Sequence, residues 1–154
     1  MSTPEDRLSE LGITLPPAMK AVANYVPYVI SGNQLYVSGQ VSATPEGRIT
    51  GRLGETMDLP AGQAAARHCG INLISQCKAA VGELSKISRV VKLGGFVNSH
   101  ALFTDIPQVI NGCSDLMVDV FGEKGRHARS AVACPTLPLG VAVEIDGVFE
   151  ITTS

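Results

Sequence analysis

Apolar and polar residues alternate along several stretches of the chain, with the period of two that is typical of β-strands. Residues 22–30 and 34–41 form two such stretches, and the Ser-Gly-Asn sequence between them is typical of a hairpin turn. A third stretch covers residues 87–97. Two more lie at 127–134 and 140–148, separated by a Pro-Thr-Leu-Pro-Leu connection whose prolines cannot donate to a sheet. The pattern therefore predicts five substantial strands.

Helical periodicity and capping residues predict two of the helices. A short one over residues 3–11 begins with Thr3 as its cap and has a proline and acidic residues in its first turn. Another covers residues 106–120, again with a proline near its start. The segment 43–58 is rich in glycine, threonine and charge, which predicts a loop with one short strand around Ile49.

The longest predicted helix runs from residue 58 to about residue 84. Its apolar and small residues recur at alternating spacings of four and three, which gives one stripe suited to packing on a sheet. The polar residues on its other side are predicted to be solvated: Arg67, Asn72, Gln76 and Glu83.

The order of these elements, ββ(β)αβαββ, predicts an α+β domain. In this arrangement a single mixed β-sheet carries two helices packed on one face. The helices cover only that face, so a second apolar or small-residue face would require another partner.

The last two strands place their charged residues at alternating positions. Arg129 shares a face with Ala131 and Ala133, and Glu144 shares a face with Asp146. If the two strands are antiparallel neighbours, all these residues lie on the side of the sheet away from the core. The alanines between the charges predict that this side is also covered. From spacing alone, a cross-strand ion pair explains Arg129 and Glu144 as well as a functional site does.

Three short motifs carry a more specific signal. An Ala-Arg-Ser motif at 128–130 is followed by Leu-Pro at 137–138 and Val-Glu-Ile at 143–145, with Glu144 fifteen residues after Arg129. In order and spacing these motifs resemble the C-terminal signature of the Rid family, the reactive intermediate deaminases also known as YjgF-type proteins.

The N-terminal half adds to this resemblance. The Ser-Gly-Gln sequence at 38–40 follows a hydrophobic strand, as it does in the Rid family, and Tyr25 falls where that family commonly has a tyrosine. The resemblance covers about residues 20–151. It identifies residues 20–154 as a Rid-like domain and residues 1–19 as an additional N-terminal helix and linker.

Membership of the Rid family would imply a chorismate-mutase-like fold and a homotrimer whose sheets form a central barrel with pockets between subunits. The implied activity is hydrolytic deamination of small 2-imino or 2-enamino acids to 2-oxo acids and ammonia. Arg129 would hold the substrate carboxylate, and Glu144 would orient the attacking water or transfer its proton. We expect no cofactor. The resemblance implies further substrate-binding groups: Tyr25, Ser38, Gly39, Asn111 and the backbone carbonyl of Ala131.

The chain also departs from the family pattern, which indicates a divergent subgroup. Ala131 stands where cysteine is frequent, and Arg126-His127 replaces a typical Phe-Pro pair. One extra residue separates Asn111 from Arg129. His127 is predicted either to be exposed or, on the face of Arg129, to line the entrance of the pocket.

Composition and charge narrow the remaining possibilities. The 154 residues suit one domain, and 45% hydrophobic with only 17% charged residues favours burial in an oligomer. A net charge of −2 without basic clusters argues against a nucleic-acid partner, and no apolar run is long enough to predict a membrane partner. The four cysteines and three histidines show no metal-site spacing, so the cysteines are predicted to be buried thiols and no metal is expected. We expect a cytoplasmic protein.

Two functions of other classes remain open at this stage. A non-catalytic Rid-fold protein would bind a small carboxylate as a sensor or chaperone. A ribonuclease or translation inhibitor ranks third, because the acidic chain lacks basic patches and an aromatic platform for bases.

Overall fold

The structure, a computed structural model, describes residues 2–21 and 23–152. These residues form three α-helices, a five-stranded sheet and a small two-stranded sheet. The helices are α1 (Pro4–Glu10), α2 (Leu59–Val81) and α3 (Ile106–Phe121). The strands are β1 (Tyr28–Ser31), β2 (Gln34–Val41), β3 (Ala43–Thr44), β4 (Gly47–Arg48), β5 (Ile87–Asn98), β6 (Ala128–Cys134) and β7 (Val143–Ile151).

The large sheet has the strand order β1-β2-β7-β5-β6, and only the β5–β6 pair is parallel. The predicted pairing of the last two strands with each other is therefore wrong, because β5 lies between them. A parallel pair needs a crossover connection, and α3 supplies it between β5 and β6. Strand β7 instead pairs antiparallel with both β2 and β5, at the centre of the sheet.

Helices α2 and α3 pack side by side on one face of this sheet, as predicted, and enclose the hydrophobic core. Small residues let the two helices approach closely. A β-carbon at Gly112 of α3 would overlap the backbone carbonyl of Gln63 in α2, and one at Gly70 would press on Cys113. The predicted α+β arrangement, a mixed sheet with two helices packed on one face, is confirmed.

The helix ends follow the capping signals in the sequence. Thr3 and Asp6 form a capping box at the start of α1, the side chain of Asp58 accepts a hydrogen bond at the start of α2, and Gly82 ends α2 with a φ of 82°. Leu8 of α1 is buried in the common core. Helix α1 is therefore packed on the domain rather than extended from it.

Two local predictions are wrong. Strand β1 begins only at Tyr28, since Pro27 lacks the N–H that a longer strand would need; Val22, the first residue of the predicted strand, lies outside the described residues. In α2, Asn72 and Gln76 are buried instead of solvated. Their side chains donate to backbone carbonyls of neighbouring segments, which satisfies both amides in the interior.

Among the described residues, none of the helices combines the length and the apolar character that crossing a lipid bilayer requires.

Candidate functional site

Glu144 and Asp146 lie on the face of the sheet that the helices leave open. In the β5–β7 register Asp146 is opposite Gly94, and a β-carbon on Gly94 would overlap the Asp146 carboxylate, so both point to the same side. The next residue, Gly95, faces the other way, because its β-carbon would overlap Ile110 of α3. Alternation then places Glu144 on the open face with Asp146.

A cavity of about 360 Å³ opens beside Glu144. This volume falls in the range of small-molecule sites. The structure brings together four of the residues that the sequence predicts for the site: Tyr25, Ser38, Gly39 and Glu144. The remaining walls come from the N-terminal segment, the β2–β4 region and the turn before β7: Met19, Lys20, Ala21, Pro27, Gln40, Val41, Arg48, Pro138 and Leu139.

An irregularity in β2 shapes one wall of the cavity. The register between β2 and β7 shifts between Val37 and Gln40, so Ser38 and Gly39 leave the regular ladder. The backbone N–H of Ser38 donates a hydrogen bond to the carbonyl of Pro27, and its hydroxyl donates one to the carbonyl of Val26, each at 2.9 Å. Gly39 has no side chain where the Glu144 carboxylate lies, and a β-carbon there would overlap it.

Two buried glutamines connect the N-terminal segment of the cavity wall to β2. Gln76, only 1% exposed, donates to the carbonyl of Met19 at 2.7 Å and contacts the side-chain oxygen of Gln40 at 3.5 Å. Gln40 in turn donates to the carbonyl of Ser38 at 3.0 Å. The N-terminal segment and the β2 irregularity are thus linked through the side-chain amides of Gln76 and Gln40.

The surroundings of Glu144 disfavour its charged form. Burial raises the pKa of the Glu144 carboxyl, and the nearby carboxylate of Asp146 raises it further. The pKa of Asp146 is also raised by burial, against an opposing hydrogen bond from the backbone of Gly94. A carboxyl with a raised pKa in a small cavity is suited to accept and return a proton.

Arg129 does not join this cavity within one chain. In the parallel β5–β6 register, Ala131 pairs with Gly95 and packs against the core, so Ala131 and Arg129 face the helices. The predicted shared face of Arg129 and Glu144 is therefore wrong, and an ion pair between them in one chain is excluded. The side of β6 away from the helices carries the exposed Ser130 and Val132 instead.

The Arg129 guanidinium lies against α3. It donates from Nη1 to Ser114 Oγ at 3.0 Å and from Nη2 to the carbonyl of Pro107 at 3.3 Å. Asn111 stands one turn before Ser114 on the same helix and is half-buried. Arg129, Asn111 and Ala131 thus form a second group at the β6 edge of the sheet, separate from the cavity.

His127 is half-buried at this edge. The prediction of an exposed His127 is therefore wrong. Its Nδ1 lies 2.6 Å from the carbonyl of Gly125, and its Nε2 lies 2.9 Å from Ser114 Oγ. Burial lowers the pKa of His127, as does the charge of Arg129, while the bond to Gly125 raises it. The net direction is downward, which favours the neutral ring.

Sequence reasoning missed Ser114 and Gln76. A signal for Gln76 was present, because residues 71–77 of α2 carry no charged side chain on any side, which is typical of a buried helix segment. Ser114 carries no such signal, since its role depends on where β6 lies. Within residues 2–21 and 23–152, no three His, Cys, Asp or Glu side chains form a group that could hold a metal ion.

The chain matches a protein-family model described as "YjgF/chorismate mutase-like, putative endoribonuclease" over residues 5–149. This range includes most of α1. Among curated proteins, Protein TCP17 of Trypanosoma cruzi is 51% identical over 146 residues, covering 94% of this chain and 91% of that protein.

Solved structures of similar proteins are also known. The protein Atu1372 of Agrobacterium tumefaciens, described as of unknown function, superposes with a TM-score of 0.91 at 50% identity, covering 97% of this chain and 92% of that one. RidA from the Antarctic bacterium Psychrobacter superposes with a TM-score of 0.59 at 30% identity, covering 87% and 94%.

Proposed function

This chain belongs to the YjgF/chorismate mutase-like family, of which RidA proteins are members, and from that premise we propose that it hydrolyses small 2-imino or 2-enamino acids to 2-oxo acids and ammonia. The observation that supports the proposal most directly is the position of Glu144. Its carboxyl has a raised pKa and lies in a cavity of small-molecule size.

The proposed reaction needs little beyond positioning and one proton-transfer group. Water adds to the C=N carbon, the resulting carbinolamine loses ammonia, and a C=O bond replaces the C=N bond. Glu144 accepts a proton from the attacking water and passes it to the nitrogen, and it then transfers the hydroxyl proton of the carbinolamine to the departing nitrogen as the C=O bond forms. An enamine enters the same path after a proton moves to its carbon to give the imine.

The substrate carboxylate requires a cation, and Arg129 is the candidate from the family motif. Its planar guanidinium matches a carboxylate through two parallel hydrogen bonds. Because Arg129 and Glu144 face opposite sides of the sheet in one chain, the proposed site combines Glu144 of one copy with Arg129 of a neighbouring copy. The backbone carbonyl of Ala131 would accept from the substrate nitrogen beside Arg129.

Assembly into a homotrimer would bring the two groups together. The open face of the sheet carries apolar side chains that remain about half exposed in the single chain: Val29, Tyr36 and Val132. Strand β6 forms one edge of the sheet. Burial of this face against other copies would remove apolar surface from water and place the β6 edge beside a neighbouring cavity.

The proposal is tested by release of 2-oxo acid from freshly generated imino acids, with semicarbazide as a competing trap. The native protein is expected to accelerate release, while Arg129→Ala and Glu144→Ala are expected to lose at least about a hundredfold in kcat/KM. No acceleration by an intact native oligomer across several imino acids would contradict the proposal. Tight binding of a 2-oxo acid without turnover would instead favour a carboxylate-binding role.

A further inference from the structure

The group around Arg129 forms a continuous chain of hydrogen bonds. It runs from the carbonyl of Gly125 through His127 and Ser114 to the Arg129 guanidinium, with distances of 2.6, 2.9 and 3.0 Å. The chain connects the start of β6 to the middle of α3. His127 and Ser114 are both half-buried, so neither bond is fully open to competition from water.

The chemistry of the four groups fixes the direction of each bond. A carbonyl oxygen accepts only, so His127 Nδ1 carries the hydrogen that is donated to Gly125. In a neutral ring Nε2 is then an acceptor, and the Ser114 hydroxyl donates to it. The Ser114 oxygen remains free to accept from Arg129 Nη1, because a guanidinium only donates. Every group in the chain has a consistent role when His127 is neutral.

From this geometry we propose that Ser114 and His127 are positioning residues that hold the Arg129 guanidinium in place for the carboxylate of the substrate. The inference rests on the proposed function, since it assigns to Arg129 the carboxylate-binding role. The guanidinium has five N–H donors, of which Ser114 and Pro107 occupy two in the described contacts. Three donors remain, enough for a two-pronged contact with a carboxylate.

Neutral His127 is part of this arrangement. A protonated ring would donate from Nε2, so the Ser114 hydroxyl would lose its acceptor, and a second positive charge would stand beside Arg129. The lowered pKa of His127 is consistent with the neutral form at physiological pH. Arg126, which directly precedes His127, is exposed and forms an ion pair with Glu123.

A Ser–His pair at 2.9 Å also has the form of a nucleophile and its base. The position of Arg129 argues against that role here. The Ser114 oxygen already accepts a hydrogen bond from the guanidinium, so the side chain of Arg129 covers the atom that would have to attack. The same contact is what a positioning role requires.

The test compares Ser114→Ala, Ser114→Thr and His127→Phe with the native protein. Affinity for 2-oxobutanoate is measured by calorimetry, and kcat and KM are measured with an imino acid. Ser114→Ala removes the hydrogen bond to the guanidinium, and His127→Phe removes the acceptor that orients the Ser114 hydroxyl. Each variant is expected to weaken 2-oxobutanoate binding and raise KM by about tenfold, with kcat within about threefold of native. Ser114→Thr retains the hydroxyl and is expected to bind within about twofold of native. The control Ser9→Ala, an exposed helical serine, should change none of these values.

Several outcomes separate this inference from the proposed function. Native-like 2-oxobutanoate affinity in Ser114→Ala, even with lowered thermal stability, would overturn the positioning role and leave a structural one. Native protein that binds 2-oxobutanoate without hydrolysing imino acids would contradict the hydrolytic proposal alone, because the affinity comparison still decides the role of Ser114. Native protein that neither binds 2-oxobutanoate nor hydrolyses imino acids would overturn both.

A second readout needs no ligand. Nitrogen-15 NMR of the histidine rings in the free protein is expected to show His127 as the neutral tautomer with its hydrogen on Nδ1. Ser114→Ala should shift the Nε2 resonance, because that nitrogen loses its donor. A hydrogen on Nε2 in the native protein would contradict the proposed direction of the chain.

Discussion

At the residue scale, the open face of the sheet concentrates two carboxyl groups where their charged forms are disfavoured. Glu144 and Asp146 are partly buried, and the pKa of each is raised mainly by that burial. Gly39 leaves the space in which the Glu144 carboxyl lies. The position of Glu144 in the cavity and the raised pKa of its carboxyl therefore both suit the proposed proton transfer.

Replacement of Glu144 by glutamine keeps the shape and removes the proton-transfer group. We expect kcat for imine hydrolysis to fall by about a hundredfold or more, with KM changed much less, because Arg129 still binds the carboxylate. Steady-state kinetics on an imino acid measures both values. Equal activity of Glu144→Gln and native protein would exclude Glu144 from proton transfer.

The same variant should be more stable than native protein at neutral pH. The raised pKa means that folded protein binds the Glu144 proton more tightly than unfolded protein does, so protonated Glu144 favours folding. That contribution is lost as the pH rises through the folded-state pKa. The melting temperature of Glu144→Gln should therefore exceed that of native protein near pH 7, and the difference should shrink toward about pH 4. Glu10→Gln, at an exposed position in α1, is the control.

At the scale of elements, the N-terminal segment is a wall of the site rather than a free extension. Gln76 of α2 holds the carbonyl of Met19, and Gln40 of β2 completes the link to Ser38. Met19, Lys20 and Ala21 line the cavity as a result. One buried side chain of a helix, almost sixty residues away in the sequence, thus anchors the end of this segment that lines the cavity.

Gln76→Leu should release this segment. The apolar side chain fills a similar volume but leaves the Met19 carbonyl without its donor, so we expect a loss of about 1–3 kcal/mol in the free energy of unfolding. Urea denaturation measures this loss, and limited proteolysis should show faster cleavage within residues 13–21. Gln108→Leu, at an exposed position on α3, is the matched control. Unchanged stability and cleavage in Gln76→Leu would show that other contacts hold the segment.

The limits of sequence reasoning also lie at this scale. Capping residues and periodicity located α1, α2, α3 and β5 to within a few residues, because those signals are local. The pairing of β6 was not predictable in the same way, since each of its residues pairs with a residue of β5 that lies 36 positions earlier. Alternation separated the two faces of β6 correctly but could not say which face meets the helices. Ala131 was misread as part of a second covered face, when it lies beside Gly95 on the side of the sheet that meets α3.

The site was predictable only in part for the same reason. Tyr25, Ser38, Gly39 and Glu144 come from two neighbouring strands and the segment before them, and they do share a cavity. Arg129 carries the most specific motif, yet the structure places it on the other side of the sheet against Ser114. A motif gives spacing along the chain, whereas the distance between Arg129 and Glu144 depends on which copy each belongs to in the proposed site.

At the scale of the whole molecule, the proposed site requires the open face of the sheet to be an interface between copies. Val132→Glu places a charge on that face at a side chain 48% exposed in the single chain. We expect this variant to be monomeric by light scattering and inactive, because a charge buried between copies lacks a partner. Leu102→Glu makes the same change at a loop residue 85% exposed and should remain trimeric. A trimeric Val132→Glu protein would place the interface elsewhere.

The most direct test of the central claim is activity in mixed oligomers of Arg129→Ala and Glu144→Ala, two variants expected to be inactive alone. If each site takes Arg129 from one copy and Glu144 from the next, random co-assembly restores both residues in about one quarter of the sites. The account therefore predicts recovery of about a quarter of native imine hydrolysis after co-expression or subunit exchange. Mixed oligomers that form but stay as inactive as their parents would contradict a site shared between copies.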